Sequence, residues 1–575
     1  MADNASNAHK PRKSAKGAGN RRQPAPKRPP RKTYPANAAI ANKVPSPADA
    51  PVPPAPAAPA AADSPVAPAT PAISEATIKS DVAAIADLER HLYAHRYAET
   101  GMSSYGLTID PPNVSADRAE ALAILEQEDH DLLCTSRIGS TLERLTRCSD
   151  RLDPTTRAQV RILKRDRDRL VNVSSEDRAA FTRLTNEADA VWRRAKLNND
   201  WDSFEPYLDR IVAVMRKLAN QKDPSSDPYD VWLDEYEQGT SREFYNRFFA
   251  MVKDCVVPLL MDVRTKRQPS RACIDGRFDE GRQWMLARDI AILEGINLDS
   301  YWLTATEHPF SDALSVNYAI TAAHVHPDDV SANVFTMLHE GGHNLYELNV
   351  DPAYNHTSLR GGTSAGMHEG SSRFFENYVG RSRAFAGPLL ATMQQHFHGQ
   401  LDRVTPQQFY LAINRADPQP IRMDADELTY PLHILVRYEI EQLLFSGEAT
   451  AKDVPTLWRD RYKSYLGVRV ADATRGPLQD SHWADGLFGY FPTYALGGAY
   501  GAQFRDQMIA DGVDWEGTLE KGDLAPIREW MRTRVWHWGR AKDPAEIIQE
   551  ACHTPFDPTH YTNYLTKKFS SIYGL

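Results

Sequence analysis

Ile78, Val82, Ile85, Leu88 and Leu92 recur at spacings of four, three, three and four, the period of one face of an α-helix. The period returns in ADRAEALAILEQEDHDLL (116–133), SREFYNRFFAMVKDCVVPLL (241–260) and LHILVRYEIEQLLF (432–445). A chain repeating this pattern buries its apolar faces as helix packed on helix. Strand-like alternation is sparse, and SVNYAITAA, Ser315 to Ala323, is its clearest instance. The expected fold is a large, mostly α body with a small sheet. No internal repeat and no Gly-rich phosphate loop is visible.

The periodic body begins near residue 76. Residues 1–75 hold 16 of the 39 prolines, in runs such as KRPPRK and PVPPAPAAPAAA, and carry a net charge of +7. Such a composition cannot bury enough apolar surface to fold, so a solvated, disordered tail is expected ahead of one domain at 76–575. The alternative is contact of its basic part with an anionic partner, nucleic acid or membrane. The whole chain is −9, so residues 76–575 carry −16, which argues against a nucleic-acid-binding body. No apolar run is long enough for a membrane span, since FFAMVKDCVVPLLMDV is broken by Lys253 and Asp254. The N-terminus shows no apolar signal-peptide core, and the five cysteines form no CxxC. A cytoplasmic protein without cysteine-ligated metal is expected.

The chemistry concentrates in TMLHEGGHNLYEL, Thr336 to Leu348. His339 and His343, four apart, share one helix face and can converge on one ion. Pro327, Asp328 and Asp329 supply a helix start, and Val334, Phe335, Leu338, Leu345 and Tyr346 an apolar surface. HExxH on a helix is the hydrolytic zinc pattern, in which two imidazoles hold the ion and Glu340 takes a proton from the water it binds. A solvated surface helix is the competing explanation. A third ligand counts against it: Glu369, in GMHEGSSRFFENYVGR, lies 26 residues beyond His343 and would complete a His₂Glu set. Gly341 and Gly342 each cost about 1 kcal/mol in a helix interior. They either admit substrate beside the ion or admit a neighbouring helix against Gly342.

HEGGHNLYE, HEGSSRFFEN, IRMDADELTYPLH (421–433) and GPLQDSHWADGLFGYFPTYALGG (476–498) resemble, in order, the signatures of the carboxypeptidase Taq family of thermostable metallocarboxypeptidases. VWRRAKLNNDWDSFEPYL (191–208), YDVWLDEYEQG (229–239) and HPFSD (308–312) extend the resemblance upstream, so that it covers residues 78–575. It implies an almost wholly helical fold with a deep groove over a zinc or cobalt ion, often as a homodimer, and removal of C-terminal amino acids with broad specificity. It places the metal ligands on His339, His343 and Glu369 and the general base on Glu340. Its IRxxAD motif falls on Ile421, Arg422, Ala425 and Asp426, and its GxxQDxHW motif on Gly476, Gln479, Asp480, His482 and Trp483. On this basis His482 is expected to donate to the developing oxyanion and Arg422 to bind the terminal carboxylate, within a substrate-binding set that includes Asp426, Gln479 and Asp480. The competing roles are an ion pair of Arg422 with Asp424, Asp426 or Glu427, and a core position for His482 beside Trp483. His356, His396, His398, His433 and His560 are expected outside the site.

Two motifs depart from the family pattern. In HPFSDALSVNYAI, Leu314 and Val316 stand where the Arg and Thr of a DxRxT segment belong, and no arginine occurs between Arg288 and Arg360. Ser371 stands where the family has Gln. The lost charge predicts a more apolar wall there, and altered or narrowed specificity. The leading expectation is a zinc-dependent carboxypeptidase acting on peptides. Its alternatives are a hydrolase of the same fold acting on one amide-containing metabolite or modified peptide, and a metal-stabilised scaffold without turnover.

Overall fold

Helices dominate because their apolar stripes find one another. In Trp201–Lys222, the residues Phe204, Leu208, Ile211, Met215 and Leu218 are buried, and the Asp200 side chain caps the first turn by accepting from the Ser203 N–H. A computed structural model describes residues 73–108, 114–306 and 309–575. Nearly all of the Pro/Ala-rich segment lies outside these. Among the described residues nine α-helices precede the sheet, from Glu75–Thr108 to Glu280–Glu294. The first of them puts Ile78, Ile85 and Leu88 into a small core shared with Leu133, Ile138, Leu142 and Leu163. Each fully buried Leu or Ile there contributes roughly 1.5–3 kcal/mol.

The sheet has three strands, β1 (Tyr301–Ala305), β2 (Phe310–Ser315) and β3 (Tyr318–Ala323), in the order β1-β3-β2. β3 runs parallel to β1 and antiparallel to β2. The strand expected at Ser315–Ala323 is thus β3 together with the turn from β2.

Four helices then build the site: α1 (Val330–Leu348), α2 (Ala365–Arg373), α3 (Tyr430–Ser446) and α4 (Phe491–Ala510). The Asp329 side chain caps α1 by accepting from the Ala332 N–H, at the start expected from sequence. Asn344 Nδ2 donates to Thr321 Oγ1, which ties α1 to β3. α2 lies between α1 and α4, and the approach on both sides depends on glycine. A Cβ at Gly342 would sit 2.6 Å from the Ser371 carbonyl oxygen, and one at Gly497 would sit 2.8 Å from the Glu369 backbone. Gly341 faces the Glu294 carboxylate in the same manner. Both α1 glycines therefore admit neighbours behind the helix, and neither lines the cavity in front of it. This corrects the reading in which they admit substrate.

Candidate active site

α1 and α2 bring the three expected ligands together. His339 Nε2 lies 3.7 Å and His343 Nε2 3.4 Å from the same oxygen, Glu369 Oε2. Zinc bonds of about 2.0–2.2 Å in tetrahedral array separate ligand atoms by roughly 3.3–3.6 Å. Three donors, two neutral imidazoles and one carboxylate, fit a divalent cation with an open position.

The surrounding hydrogen bonds set each ligand in its binding form. His339 Nδ1 lies 3.1 Å from Glu376 Oε2, so Nδ1–H donates and the Nε2 lone pair is free. His368 Nε2 lies 3.0 Å from Glu347 Oε1 and donates to it. His368 Nδ1 is then the acceptor for His343 Nδ1–H, 2.5 Å away, which frees the second Nε2. Glu369 Oε1 accepts from Arg373 Nε at 2.6 Å, leaving Oε2 toward the imidazoles. Burial favours neutral imidazoles and holds His343 at about 3. At His339 burial acts downward too, but Glu369 and Glu376 outweigh it and raise the value, so an ion binding there displaces a proton. For Glu369 burial acts upward, but Arg373 and His339 outweigh it and hold the carboxyl well below the usual range.

Glu340 follows His339 on α1 and is buried beside β2. Burial raises its carboxyl above the ordinary value, against His339 and the Ser311 hydroxyl, which lower it. Glu340 and the three ligands line a cavity of about 570 Å³, together with Phe310, Ser311, Arg373, Arg422, Met423, Tyr490 and Tyr494.

The other expected residues separate into two groups. Arg422 lines the cavity, yet its Nε and Nη2 both donate to Asp480 Oδ1, at 3.0 and 2.8 Å, and its Nη1 donates to Tyr430 Oη. Its ion-pair partner is thus Asp480, not Asp424, Asp426 or Glu427. Asp480 also takes both Nε and Nη2 of Arg437 on α3. Gln479 Oε1 accepts from the Arg422 N–H, and its amide staples Pro420, Arg475 and Gly476. Asp426 accepts from the backbone of Asp417, Leu428 and Thr429, so it clasps the loop before α3 away from the cavity wall. His482 also stands behind the wall, stacked on Phe491, with Nε2 3.0 Å from Tyr494 Oη. Burial holds it at about 3, so it is neutral. Tyr494 is the group that reaches the cavity.

Sequence reading missed the outer partners. Arg373 is four residues after Glu369, an i,i+4 pair open to inspection. Glu376 reaches His339 because α2 continues as a π-helical stretch, Phe374–Gly380, which no periodicity reveals. Ser371 packs behind the site, donating to the Gly342 carbonyl and accepting from Trp536 Nε1. The apolar wall expected at Leu314 is overturned. The Leu314 side chain points toward Gly101 on the first helix, and Arg360 Nη1 and Nη2 donate to the Leu314 and Ala313 carbonyls, each at 2.7 Å.

The carboxypeptidase Taq (M32) metallopeptidase model matches residues 90–569. Carboxypeptidase 1 of Bacillus subtilis is 33% identical over 466 residues, 81% of this chain and 93% of that protein. Thermostable carboxypeptidase 1 of Pyrococcus furiosus is 30% identical, over 84% of this chain and 96% of its own. The crystal structure of the M32 carboxypeptidase from Deinococcus radiodurans superposes with a TM-score of 0.83 at 29% identity, covering 86% of this chain and all of that one. With the metal triad set as described, the chain belongs to the carboxypeptidase Taq (M32) family of metallopeptidases.

Proposed function

We propose that this chain is a metal-dependent carboxypeptidase that releases C-terminal amino acids from peptides, with zinc as its ion and cobalt as the alternative. The observation that carries the reading is the convergence of His339 and His343 Nε2 on Glu369 Oε2, with Glu340 beside them on the wall of one cavity. An ion held there would supply Lewis-acid polarisation of the scissile carbonyl and a water of lowered pKa. Glu340 accepts the water proton and delivers it to the departing amine nitrogen. Arg422 spends Nε and one N–H each of Nη1 and Nη2 on Asp480 and Tyr430, which leaves its outer edge for the terminal carboxylate.

His482 serves the oxyanion through Tyr494. Its Nδ1 is buried without a partner among the described residues. An orphaned acceptor is tolerated better than an orphaned N–H, so the proton sits on Nε2 and is donated to Tyr494 Oη. The phenol proton is then free to face the cavity and donate to the developing oxyanion.

No helix among the described residues is long and apolar enough to cross a membrane, and the five cysteines are unpaired. The reading extends to a cytoplasmic homodimer, for which light scattering of the purified protein is the check. The deciding experiment combines metal analysis with hydrolysis of N-blocked peptides bearing free and amidated C-termini. About one ion per chain and cleavage of free C-termini alone are expected. Glu340→Gln should keep the ion and lose about 10²–10⁴-fold in kcat. Cleavage of amidated peptides would favour a repurposed hydrolase. Bound metal with no cleavage of either set would favour that hydrolase or a scaffold.

A further inference from the structure

A second cavity, of about 160 Å³, adjoins the first beyond His343 and shares Ser311, His343 and His368 with it. Two guanidinium groups line it, Arg96 from the first helix and Arg360 from the loop before α2. Arg96 donates to the Thr357 carbonyl at 3.1 Å, and Arg360 to the Ala313 and Leu314 carbonyls. Among the described residues, no carboxylate oxygen lies within 4.0 Å of either guanidinium, so neither has an ion-pair partner. The two carboxylates that share the cavity take their hydrogen bonds elsewhere, although Arg360 is among the charges that draw the pKa of both downward. Glu347 Oε1 accepts from His368 Nε2 and the Gly362 N–H, and Asp312 Oδ1 accepts from the Ala313 N–H. Each arginine carries five N–H donors, so the pair leaves about seven unspent. Two unpaired arginines facing one small cavity form a receptor for a planar anion of carboxylate type.

The place of this cavity says which carboxylate. Contacts run from Arg422 through Tyr430 to Arg373, which holds both Glu369 and Glu376, so the proposed terminal-carboxylate site lies on the Arg373 side of the ligand triad. Arg96 and Arg360 lie on the other side, past His343, His368 and Glu347. A peptide with its terminus at Arg422 and its scissile carbonyl at the triad directs its acyl-side residue toward them. We propose that Arg96 and Arg360 form a specificity pocket for an acidic side chain on the acyl side of the scissile bond. This rests on the carboxypeptidase reading above. The altered specificity expected from Leu314 then takes a definite form, a wall that selects acidic peptides.

The test compares N-acetyl-Ala-Glu-Ala with N-acetyl-Ala-Gln-Ala, both with free C-termini, on the metal-loaded enzyme. A charge-assisted hydrogen bond predicts about a tenfold preference in kcat/KM for the Glu peptide, carried by KM. Arg96→Gln and Arg360→Lys should each lower the Glu-to-Gln ratio toward one, and Arg360→Lys keeps a cation on the strand carbonyls if Arg360 is needed for folding. Equal turnover of the two peptides by the wild type overturns the pocket and leaves the carboxypeptidase reading intact. So does a preference that survives both substitutions. An equal loss on both peptides would assign the arginines to the terminal carboxylate instead, and also overturns the proposal. Cleavage of neither peptide would count against the carboxypeptidase reading itself. Equilibrium binding of both peptides to Glu340→Gln then decides the pocket without turnover: tighter binding of the Glu peptide supports it, and equal affinity rejects it.

Discussion

The two ends of the main cavity handle buried charge in opposite ways. At the metal end, each ligand has its outer atom paired and its inner atom free: His339 with Glu376, His343 with His368, Glu369 with Arg373. At the arginine end, Asp480 gathers Arg422 and Arg437, and their side chains are 5% and 0% exposed. There the charges satisfy one another and only an edge of Arg422 faces the cavity. The first arrangement holds atoms ready for an ion. The second holds a loop in place, because two buried guanidinium groups tolerate burial only with their carboxylate. Each end also rests on one buried carboxyl. Glu237 accepts from the Gly366 N–H and Tyr500 Oη and so anchors the start of α2. Glu441 accepts from Trp483 Nε1, Tyr229 Oη and the Gly489 N–H and anchors the loop after Asp480.

The contrast is broken most severely at the arginine end. Asp480→Ala leaves two buried cations without a partner, which costs about 3–5 kcal/mol. Thermal or denaturant unfolding should show the loss, while Asp480→Asn, which keeps an acceptor, should lose less. A midpoint for Asp480→Ala within 1 °C of wild type would mean that water, not protein, surrounds these arginines.

The carboxyl anchors should make stability fall with pH at both ends. Burial lifts Glu237 and Glu441 each to about 7 from an ordinary 4.5. A folded-state pKa above the unfolded one means that the unfolded chain releases its proton first. The contribution is therefore complete below about pH 4.5 and is lost as pH rises through 7, on the order of 3 kcal/mol for each group. Chemical unfolding at pH 5 and pH 8 reads this loss. Glu237→Gln and Glu441→Gln should each flatten the slope by about half, and an unchanged slope in both would assign the pH dependence elsewhere.

What was legible in the sequence follows the same division. His339, His343 and Glu369 could be found because helical spacing fixes the first two and ligand chemistry asks for the third. The Asp329 cap and β3 were legible for local reasons as well. β1 and β2 were not, because YWLTA and FSDALS are short and half-buried and lack clean alternation. The roles of Arg422 and His482 needed the tertiary structure: one spends most of its donors on Asp480, and the other reaches the cavity only through Tyr494. Arg360 lies 46 residues from Leu314 in sequence yet donates to its carbonyl, so a charge that counting declared absent returns from another segment. Residues that act through a neighbour's backbone leave no periodic trace.

The finest test of the contrast lies at the metal end, in a residue that touches no ion. Glu376 fixes the His339 tautomer by accepting from Nδ1–H, and Arg373 and Arg381 in turn hold Glu376. Burial would raise this carboxyl, but Arg373 and His339 outweigh it and hold it at about 2, so it is an anion throughout the working range. Glu376→Gln keeps the shape and the acceptor but removes the charge that makes His339 a stronger donor. Metal affinity should fall about 10–100-fold, as for other outer partners of metal-bound histidine. Competition with a chromophoric chelator measures that constant directly, and global stability of the metal-free protein should move by less than the loss in Asp480→Ala. Unchanged affinity would make Glu376 a counter-ion for Arg373 and nothing more. The metal end would then resemble the arginine end, its charges serving one another and not the ion.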